Sequence, residues 1–357
     1  MGKKFARALL LSPAQYSLTS SLHDILEVLA GEVKVTDIRD SISNRDRRFN
    51  SQIFRLPHVV RKHWESHFLS KINRLVMGMI DSYSPDLVMI YNSEYLVPDT
   101  CRALSRKAKL IFFMGDSPFY TPQNNYYLSC LQYADLVLSP DTLWAEQLNT
   151  MGLRRTLYFI PGVDEKSYFR IEPSENLREE KETEVLYVGS CYLNSWGYKK
   201  ALLMSSFTKF DFSLYGNSAW RRWFPFFPAL ENHYSESGFI AQERLNRMYN
   251  RTRIIPVDGN PGIINGVHLR MFEALAAGAL PLIEYRKDIR NPLFRGFNGD
   301  LPLISDYSQA GDIASGYLAD EKGRQQLARD MHAFLKQEYS SSRNAARIFD
   351  ALNKLPG

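Results

Sequence analysis

The sequence predicts an α/β protein built from two doubly wound domains, each with a parallel sheet covered by helices. Short runs of Val, Ile and Leu alternate with longer helical patterns in both halves of the chain, which is typical of strands buried on both faces. A charge-rich stretch separates the two series. The length of 357 residues is also about twice a typical domain of roughly 150 residues.

The first domain is expected to span residues 1–170. Its apolar runs are short enough for buried strands, and helical patterns lie between them. The last helical pattern ends at Gly152, a residue type that favours the C-cap conformation. The candidate strands are 6–11, 33–38, 87–91, 110–114, 136–139 and 157–160, and the candidate helices are 18–30, a long segment around 63–82, and 143–151.

Residues 171–184 are expected to be a linker, because they contain charges, a proline and few apolar side chains. A second domain is expected over 185–340. The segment 341–357 is expected to form a C-terminal helix that packs back on the first domain. The candidate strands of the second domain are 185–188, 210–214, 254–257 and 280–283, and its candidate helices are 245–250, 267–277 and 321–338.

Composition excludes several classes of protein. The 44 Lys and Arg residues against 39 Asp and Glu give a net charge of +5, which permits an anionic ligand without demanding one. Three cysteines without a C-x-x-C pair give no support to a disulfide framework or a structural zinc site. No run approaches the roughly 20 apolar residues that span a bilayer, so we expect a cytoplasmic protein without a transmembrane segment.

The most informative segment is a glycine-rich loop followed by a predicted helix. Gly259, Gly262 and Gly266 would let a ligand approach the backbone closely. On the helix, Arg270 and Glu273 lie three residues apart on one face. The planar guanidinium suits a diphosphate, and the carboxylate suits the two hydroxyls of a ribose. The same pattern also fits a surface ion pair behind turn-forming glycines, and both interpretations stay open here.

Four segments of the second half resemble the nucleotide-sugar domain of GT-B glycosyltransferases, especially the spore-maturation-protein-B-like transferases. The resemblance covers about residues 185–350, and its most specific part is the Arg-x-x-Glu helix that ends at a glycine. It implies two Rossmann-like domains facing a central cleft. The matching segments are Val-Leu-Tyr-Val-Gly-Ser at 185–190, Phe-Ser-Leu-Tyr-Gly at 212–216, Leu-Asn-Arg-Met-Tyr-Asn at 245–250, and Leu-Arg-Met-Phe-Glu-Ala-Leu-Ala-Ala-Gly at 269–278.

The resemblance implies that Arg270 holds the diphosphate of a sugar donor and that Glu273 holds its ribose. Gly189 and Ser190 would bring backbone amides against the phosphates. A UDP-sugar is the expected donor, with no further cofactor. His268 would reach the donor phosphates or cap the helix. The remaining residues assigned to the donor site are Gly216, Asn265 and Gly266.

Asp116 is the candidate catalytic base. It follows the predicted strand in Lys-Leu-Ile-Phe-Phe-Met-Gly-Asp-Ser-Pro, residues 109–118, which resembles spore-maturation-protein-B-like proteins and phage DNA β-glucosyltransferases. An inverting transfer needs one carboxylate to take the proton of the acceptor hydroxyl. Related retaining enzymes often carry a Glu where Asn265 stands here, so the inverting outcome is favoured. An Asp before Ser-Pro is also a common turn or cap residue.

No metal is expected at the site. The chain contains no Asp-x-Asp, the spacing with which other glycosyltransferases hold a divalent cation. His58, His63 and His67 do not follow the His-Glu-x-x-His order of a zinc site. A basic stretch over residues 39–62 would attract an acidic polysaccharide, a phosphorylated lipid or nucleic acid, or would form an ordinary solvated surface. The aromatic segment 220–227 would stack on a sugar, contact a membrane, or pack beneath a loop.

The sequence therefore predicts a metal-independent glycosyltransferase that moves a sugar from a nucleoside diphosphate sugar to a hydroxyl acceptor. The acceptor would be a surface polysaccharide, a glycolipid or a protein. One alternative is a transferase that glucosylates modified bases in duplex DNA, with nucleic acid as a partner. A second alternative is a non-catalytic GT-B protein that binds a nucleotide sugar.

Overall fold

The computed structural model describes residues 4–13, 17–92, 95–119, 126–153, 155–171 and 183–353. The chain divides into two compact units. The first contains Met1–Pro161 and Ser341–Gly357, and the second contains Gly162–Ser340. Most of the expected linker, residues 172–182, lies outside the described residues.

The first unit contains the strands β1 (Phe5–Leu11), β2 (Ala30–Thr36), β3 (Leu87–Tyr91), β4 (Lys109–Phe113), β5 (Leu136–Ser139) and β6 (Thr156–Tyr158). All pair in parallel, in the order β2-β1-β3-β4-β5-β6. Its helices are α1 (Ser17–Leu29), α2 (Asn44–Gln52), α3 (His58–Tyr83), α4 (Pro98–Ser105), α5 (Tyr127–Leu131) and α6 (Thr142–Thr150). Every residue of β3 and β5 is buried, as expected of parallel strands covered on both faces.

The second unit contains the strands β7 (Thr183–Val188), β8 (Phe212–Gly216), β9 (Tyr234–Glu236), β10 (Thr252–Val257), β11 (Leu280–Glu284) and β12 (Leu303–Ile304). They form a parallel sheet in the order β12-β11-β10-β7-β8-β9. Its helices are α7 (Ser195–Ser205), α8 (Gln242–Asn250), α9 (Arg270–Ala276), α10 (Ala310–Ala319) and α11 (Glu321–Glu338). The two parallel sheets confirm the α/β class.

The division between the units falls at Pro161, whereas the sequence placed the end of the first domain at residue 170. Residues 162–170 pack with the second unit. The ring of Tyr168 stacks on Tyr249 with centroids 6.0 Å apart, and the Phe169 amide donates to Asn246 Oδ1 at 3.1 Å. The chain therefore enters the second unit before the charged stretch begins.

The last helix, α12 (Ser341–Asn353), belongs to the first unit and packs against α1. The fully buried Asn344 donates from Nδ2 to Ile160 O at 2.9 Å. Ile348 is also fully buried. These contacts tie the C-terminal helix to the chain segment that leaves the first sheet.

Candidate active site

Polar side chains gather at the carboxyl edge of the second sheet. Asp258 directly follows β10, and Glu284 is the last residue of β11. These strands pair with Val257 opposite Ile283, so the two carboxylates lie at the same edge. The strand β7, which pairs with β10 on its other side, ends at this edge as well. Ligands of open parallel sheets bind at such carboxyl ends.

Asp258 is the centre of a buried charge cluster. Its Oδ1 accepts hydrogen bonds from Arg270 Nη1 at 3.0 Å and from Tyr187 Oη at 2.7 Å. Its Oδ2 lies 3.2 Å from Lys200 Nζ. The Arg270 guanidinium also donates to Val188 O at 2.8 Å and lies 4.4 Å from the centroid of the Tyr187 ring. Two cations therefore face one carboxylate.

The cluster fixes the charges of its members. Burial alone would raise the pKa of Asp258, but Lys200 and Arg270 hold it well below its usual range. Burial opposes the charges of Arg270 and Lys200, yet Tyr187 and Asp258 raise the pKa of each. All three groups are therefore charged at neutral pH. The cluster keeps one positive charge in excess, which favours an anion beside it.

Arg270 pairs with Asp258 and does not belong to a surface ion pair. Its side chain is buried, with 6% of the residue exposed. The helix α9 begins at Arg270, later than the expected start at residue 267, and most of its residues are buried. The alternative of a solvated pair between Arg270 and Glu273 is therefore wrong.

The Arg270 guanidinium retains capacity for a ligand. A guanidinium carries five N–H donors. The hydrogen bonds to Asp258 and Val188 use two of them. Because the carboxylate and the carbonyl hold its orientation, the group is positioned before any ligand arrives.

Gly189 lacks a side chain and so leaves room for Arg270 and Tyr187, and its amide is already hydrogen-bonded. Its N–H donates to Tyr215 O at 3.0 Å as a continuation of the sheet. The expected phosphate contact through this amide therefore does not fit the structure. A Cβ at Gly189 would lie 2.7 Å from Arg270 Nη2 and 3.0 Å from Tyr187 Oη. Ser190 is exposed, and its carbonyl accepts from Lys200 Nζ at 2.9 Å.

The substitution Gly189→Ala is expected to displace Arg270 and to destabilise the second unit by about 1–3 kcal/mol, because the added methyl has no room. Urea unfolding measures the loss. The control is Gly238→Ala, where a Cβ meets nothing within 4 Å. Equal stability of the two variants would contradict this account of Gly189.

Gly216 has a packing role in the structure. It is buried at the end of β8, and a Cβ there would collide with Gly189 O and the indole nitrogen of Trp220. Trp220 is fully buried and donates from Nε1 to Gly189 O at 2.9 Å. This contact fixes the turn after β7.

A second charge cluster lies on the next strand. Glu284 Oε1 accepts from Lys199 Nζ at 2.6 Å and from Arg286 Nη2 at 2.9 Å, and its Oε2 accepts from the Gly259 amide at 2.8 Å. Burial lowers the pKa of Lys199, and Glu284 opposes that shift. Gly259 has no room for a side chain, because a Cβ would collide with Arg286.

Sequence reasoning missed Asp258, Glu284, Lys199 and Lys200. Each carboxylate stands at the end of a strand that the sequence did predict, at 254–257 and 280–283. A search for acidic residues at the carboxyl ends of neighbouring strands would have found both. The lysines come from α7, a helix that the sequence did not predict.

Asn265 and Gly266 lie in the loop between β10 and α9, as expected. Asn265 O accepts from the Asp288 amide at 3.0 Å. Gly266 is buried. Asn260 Oδ1 accepts from the Gly262 amide at 3.3 Å. The loop is thus held at both ends, and the assignment of Asn265 and Gly266 to donor binding stays a prediction.

His268 acts as a cap for α9. Its Nδ1 accepts from the Arg270 amide at 3.1 Å, which favours the capping alternative. Burial, and the nearby charge of Arg270, lower the pKa of His268 to about 3. The imidazole is therefore neutral at pH 7.

Stability is expected to fall between about pH 6.5, the ordinary pKa of His, and pH 3, because the unfolded chain then binds a proton at His268 that the folded chain does not. His268→Asn keeps an acceptor for the Arg270 amide and should show a smaller fall. Urea unfolding at pH 7 and pH 4 measures the difference. The control is the exposed His58→Asn, and identical pH dependence of His268→Asn and wild type would count against the shift.

Glu273 lies one turn after Arg270 and is partly buried. The Tyr168 hydroxyl lies near enough to this carboxylate for the negative charge to act on it. Burial raises the pKa of Tyr168, and Glu273 raises it further. Tyr168 therefore stays protonated beside the carboxylate. Arg270 and Glu273 both lie in the second unit, so the structure brings together the two predicted donor residues on one helix.

Asp116 lies beyond the carboxyl end of β4 in the first unit, where it is partly exposed. Its Oδ2 accepts from Asn92 Nδ2 at 2.7 Å, and its amide donates to Asn92 Oδ1 at 3.2 Å. Asn92 itself follows β3 with a positive φ of 38°. The same Oδ1 accepts from the Gly115 amide at 2.7 Å. Asn92 therefore holds the Asp116 carboxylate in one orientation.

The other candidates have structural roles or stay apart. Within the described ranges, the one group that brings three metal-ligating atoms together is His23, Asp24 and Glu27, so the histidines on α3 form no such cluster. Trp223 is buried and donates to Tyr192 O at 2.8 Å. The packing alternative therefore holds for Trp220 and Trp223, the tryptophans of the aromatic segment. No helix in the described part of the chain has the length and apolarity to cross a bilayer.

A family comparison supports an assignment for the second unit. Residues 199–350 match the model of a family described as glycosyl transferase-like, which is less than half of the chain. No curated protein sequence matches the chain.

Solved structures with the same fold cover almost the whole chain. Sucrose-phosphate synthase from Thermosynechococcus elongatus is 12% identical with a TM-score of 0.64 and covers 98% of each chain. HepE of Anabaena, solved in complex with UDP, is 14% identical with a TM-score of 0.60 and covers 98% of this chain and 100% of its own. A protein described as UDP-N-acetylglucosamine 2-epimerase from Listeria monocytogenes is 13% identical with a TM-score of 0.59, covering 99% and 96%.

The chain therefore has the GT-B fold of these solved structures, and residues 199–350 are similar to a glycosyl transferase-like family. The finer resemblances to spore-maturation-protein-B-like transferases and to phage DNA β-glucosyltransferases stay predictions.

Proposed function

We propose that the protein transfers a sugar from a UDP-sugar to a hydroxyl acceptor, with inversion and without a metal ion. The observation that carries the proposal is the buried cluster of Arg270, Lys200 and Asp258 at the carboxyl edge of the second sheet. A buried pair of cations with one carboxylate leaves a positive charge at the place where such folds bind ligands. A diphosphate supplies the missing negative charge.

The donor diphosphate would bind beside Gly189, whose missing side chain leaves space next to Arg270 Nη2. Arg270 would give its remaining N–H groups to the phosphate oxygens. Lys200 would add charge from the opposite side of Asp258. These cations take the role that a divalent cation has in other transferases, stabilising the charge that develops on the leaving diphosphate.

Glu273 would accept hydrogen bonds from the ribose hydroxyls of the donor. It lies one turn from Arg270 on α9, a separation that suits neighbouring parts of one nucleotide. Tyr168 lies beside this carboxylate and stays protonated, so its hydroxyl is a neutral neighbour of the ribose site. Two hydroxyls on adjacent carbons can then bind to one carboxylate.

Asp116 would act as the base. It takes the proton of the acceptor hydroxyl, whose oxygen attacks the anomeric carbon from the side opposite the diphosphate. The bond between the anomeric carbon and the diphosphate oxygen breaks, and UDP leaves with the electron pair. The reaction requires a conformation in which the acceptor hydroxyl reaches both Asp116 and the donor. The acceptor is a hydroxyl of a glycan, a lipid or a protein.

The structural neighbours support a uridine nucleotide as the donor. HepE was solved with UDP-glucose, and trehalose-6-phosphate synthase of E. coli was solved with UDP-2-fluoro glucose. Both share the two-unit fold with this chain. These ligands belong to those proteins, and they make UDP-sugars the first donors to test.

The test is the release of nucleoside diphosphate by the purified protein from UDP-glucose, UDP-N-acetylglucosamine, GDP-mannose and dTDP-glucose, with and without EDTA. We expect turnover with a UDP-sugar that EDTA leaves unchanged. Glu273→Gln should abolish it, whereas the exposed Glu243→Gln on α8 should not. Donor binding without any release would favour the non-catalytic alternative, and loss of turnover in EDTA would contradict the metal-free mechanism.

A further inference from the structure

Residues 43–63 form a basic knob in the first unit. They comprise α2, a short 3-10 turn at Ile53–Arg55 and the beginning of α3. The buried residues of α3 begin only at Phe68, so its first ten residues, 58–67, have no buried member. This end of the helix extends about 15 Å from the packed part, at 1.5 Å per residue.

The basic knob carries a strong positive charge. It contains six Lys and Arg residues and one acid, a net charge of +5. The whole chain also has a net charge of +5, so the residues outside the basic knob carry no net charge. The single acid is paired with Lys71 from further along α3, at 2.8 Å. The cations are Arg45, Arg47, Arg48, Arg55, Arg61 and Lys62, and the acid is Asp46.

Apolar side chains are exposed among these cations. Val59 is 78% exposed and Val60 is 49% exposed in the first turn of α3. Leu56 and Phe49 are each more than one third exposed. Scattered single apolar residues are normal on a surface, but four within a dozen residues form a patch.

The basic knob is held together by its own contacts. The Phe49 and Trp64 rings meet edge to face with centroids 4.5 Å apart, and Trp64 Nε1 donates to Asn50 Oδ1 at 3.3 Å. Ile53 is buried beneath the turn. The exposure of Val59 and Val60 therefore belongs to a folded element with its apolar side chains turned outward.

We propose that the basic knob docks the protein on the surface of a bilayer that contains anionic lipids. Lys and Arg side chains bind anionic headgroups, while exposed aliphatic side chains enter the boundary of the acyl chains. This combination on one short helical element is typical of membrane-surface segments. The proposal does not depend on the sugar donor or on the chemistry proposed above.

The exposed valines favour a bilayer over nucleic acid as the partner of the basic knob. A phosphate backbone would bind the cations equally well, but surfaces that bind single strands add aromatic side chains on which bases stack. The aromatic ring of Phe49 packs on Trp64, and the most exposed apolar residues are aliphatic. Aliphatic side chains gain more from lipid than from a phosphate backbone.

The experiment is co-sedimentation of the full chain with phosphatidylcholine vesicles, with and without about one third phosphatidylglycerol. We expect binding to the anionic vesicles only, weakened by salt. Val59→Ser/Val60→Ser should lower the bound-to-free ratio about tenfold. Arg45→Glu/Lys62→Glu should lower it at least about tenfold, and glutamate is compatible with both positions, which are exposed near the helix N-termini.

Matched controls test whether the position matters. Phe239→Ser removes an exposed apolar side chain of the second unit, and Lys322→Glu/Arg329→Glu reverses two exposed cations on α11. Neither should change vesicle binding. The melting temperature of every variant should stay near that of the wild type, since all these side chains are on the surface.

Three results would overturn the proposal. The first is no sedimentation with anionic vesicles. The second is binding that the control substitutions reduce as much as those in the basic knob. The third is salt-sensitive binding of duplex DNA that Arg45→Glu/Lys62→Glu removes and Val59→Ser/Val60→Ser leaves intact, together with vesicle binding that is insensitive to the valines. That last result would assign the basic knob to nucleic acid.

Discussion

Asp116→Asn is expected to lower turnover about 10²–10⁴-fold, the usual contribution of a general base, and to leave donor affinity unchanged. Asparagine matches the size of aspartate and keeps an oxygen that can accept from Asn92 Nδ2. It cannot take a proton from the acceptor hydroxyl. The rate of UDP-sugar turnover with a glycan or lipid acceptor, together with the affinity for UDP, separates the two effects.

Two further variants test the role of Asp116. Asp99→Asn changes an exposed acid at the start of α4 and should leave turnover intact. Asn92→Ala removes the amide that orients the Asp116 carboxylate and should lower kcat with little change in donor KM. Full turnover in Asp116→Asn would show that another group takes the proton, and the turn-residue alternative would then hold.

Arg270→Ala is expected to weaken UDP binding at least about 10²-fold, because it removes a buried cation with hydrogen-bond donors facing the diphosphate. It should also destabilise the second unit by about 3–5 kcal/mol, since Asp258 stays buried with one partner fewer. Arg270→Lys keeps the charge but loses the paired donors, so its affinity for UDP should lie between those of the wild type and Arg270→Ala. Calorimetric titration with UDP and urea unfolding measure the two effects separately.

The control for Arg270 is Arg247→Ala, which removes an exposed arginine of α8 that pairs with Glu243 at 3.4 Å. It should change neither UDP affinity nor stability by a measurable amount, as is usual for exposed pairs. If Arg270→Ala destabilised the protein and still bound UDP like the wild type, Arg270 would be a structural residue only.

The central strands were the most predictable part of the fold. β3 and β5 have the bounds that the sequence indicated, at 87–91 and 136–139, because a strand buried on both faces appears as an uninterrupted apolar run. The helix α11 also has its predicted bounds. Its apolar positions recur every three or four residues between charged ones, as in Leu327, Met331 and Leu335.

The edge strands and short helices were not predictable in this way. β9 and β12 have two or three residues each, too few for a pattern. The helix α7 contains Gly197 in its first turn, and glycine has a low helix propensity. Gly197 is nevertheless required, because a Cβ at this position would collide with Tyr192 O. A packing requirement of this kind is visible only in the folded chain.

Only the site residues that lie close together in the sequence could be predicted from it. Arg270 and Glu273 lie on one helix, so their spacing was visible in the sequence. Tyr187, Lys200 and Asp258 come from three separate elements, and the sheet order brings them to Arg270. Spacing along the sequence does not show contacts between separate elements. These contacts bury Arg270, so its burial could not be predicted.

The most direct test of the donor site is the melting temperature of the protein with and without a UDP-sugar, for wild type, Glu273→Gln and the control Glu243→Gln. A ligand at 100 times its Kd stabilises a protein by about 2.7 kcal/mol, which raises the melting temperature by several degrees. We expect this rise in the wild type and in Glu243→Gln, and no rise in Glu273→Gln. A rise that Glu273→Gln retains in full, or no rise in the wild type with any nucleotide sugar, would contradict the assignment of the donor site.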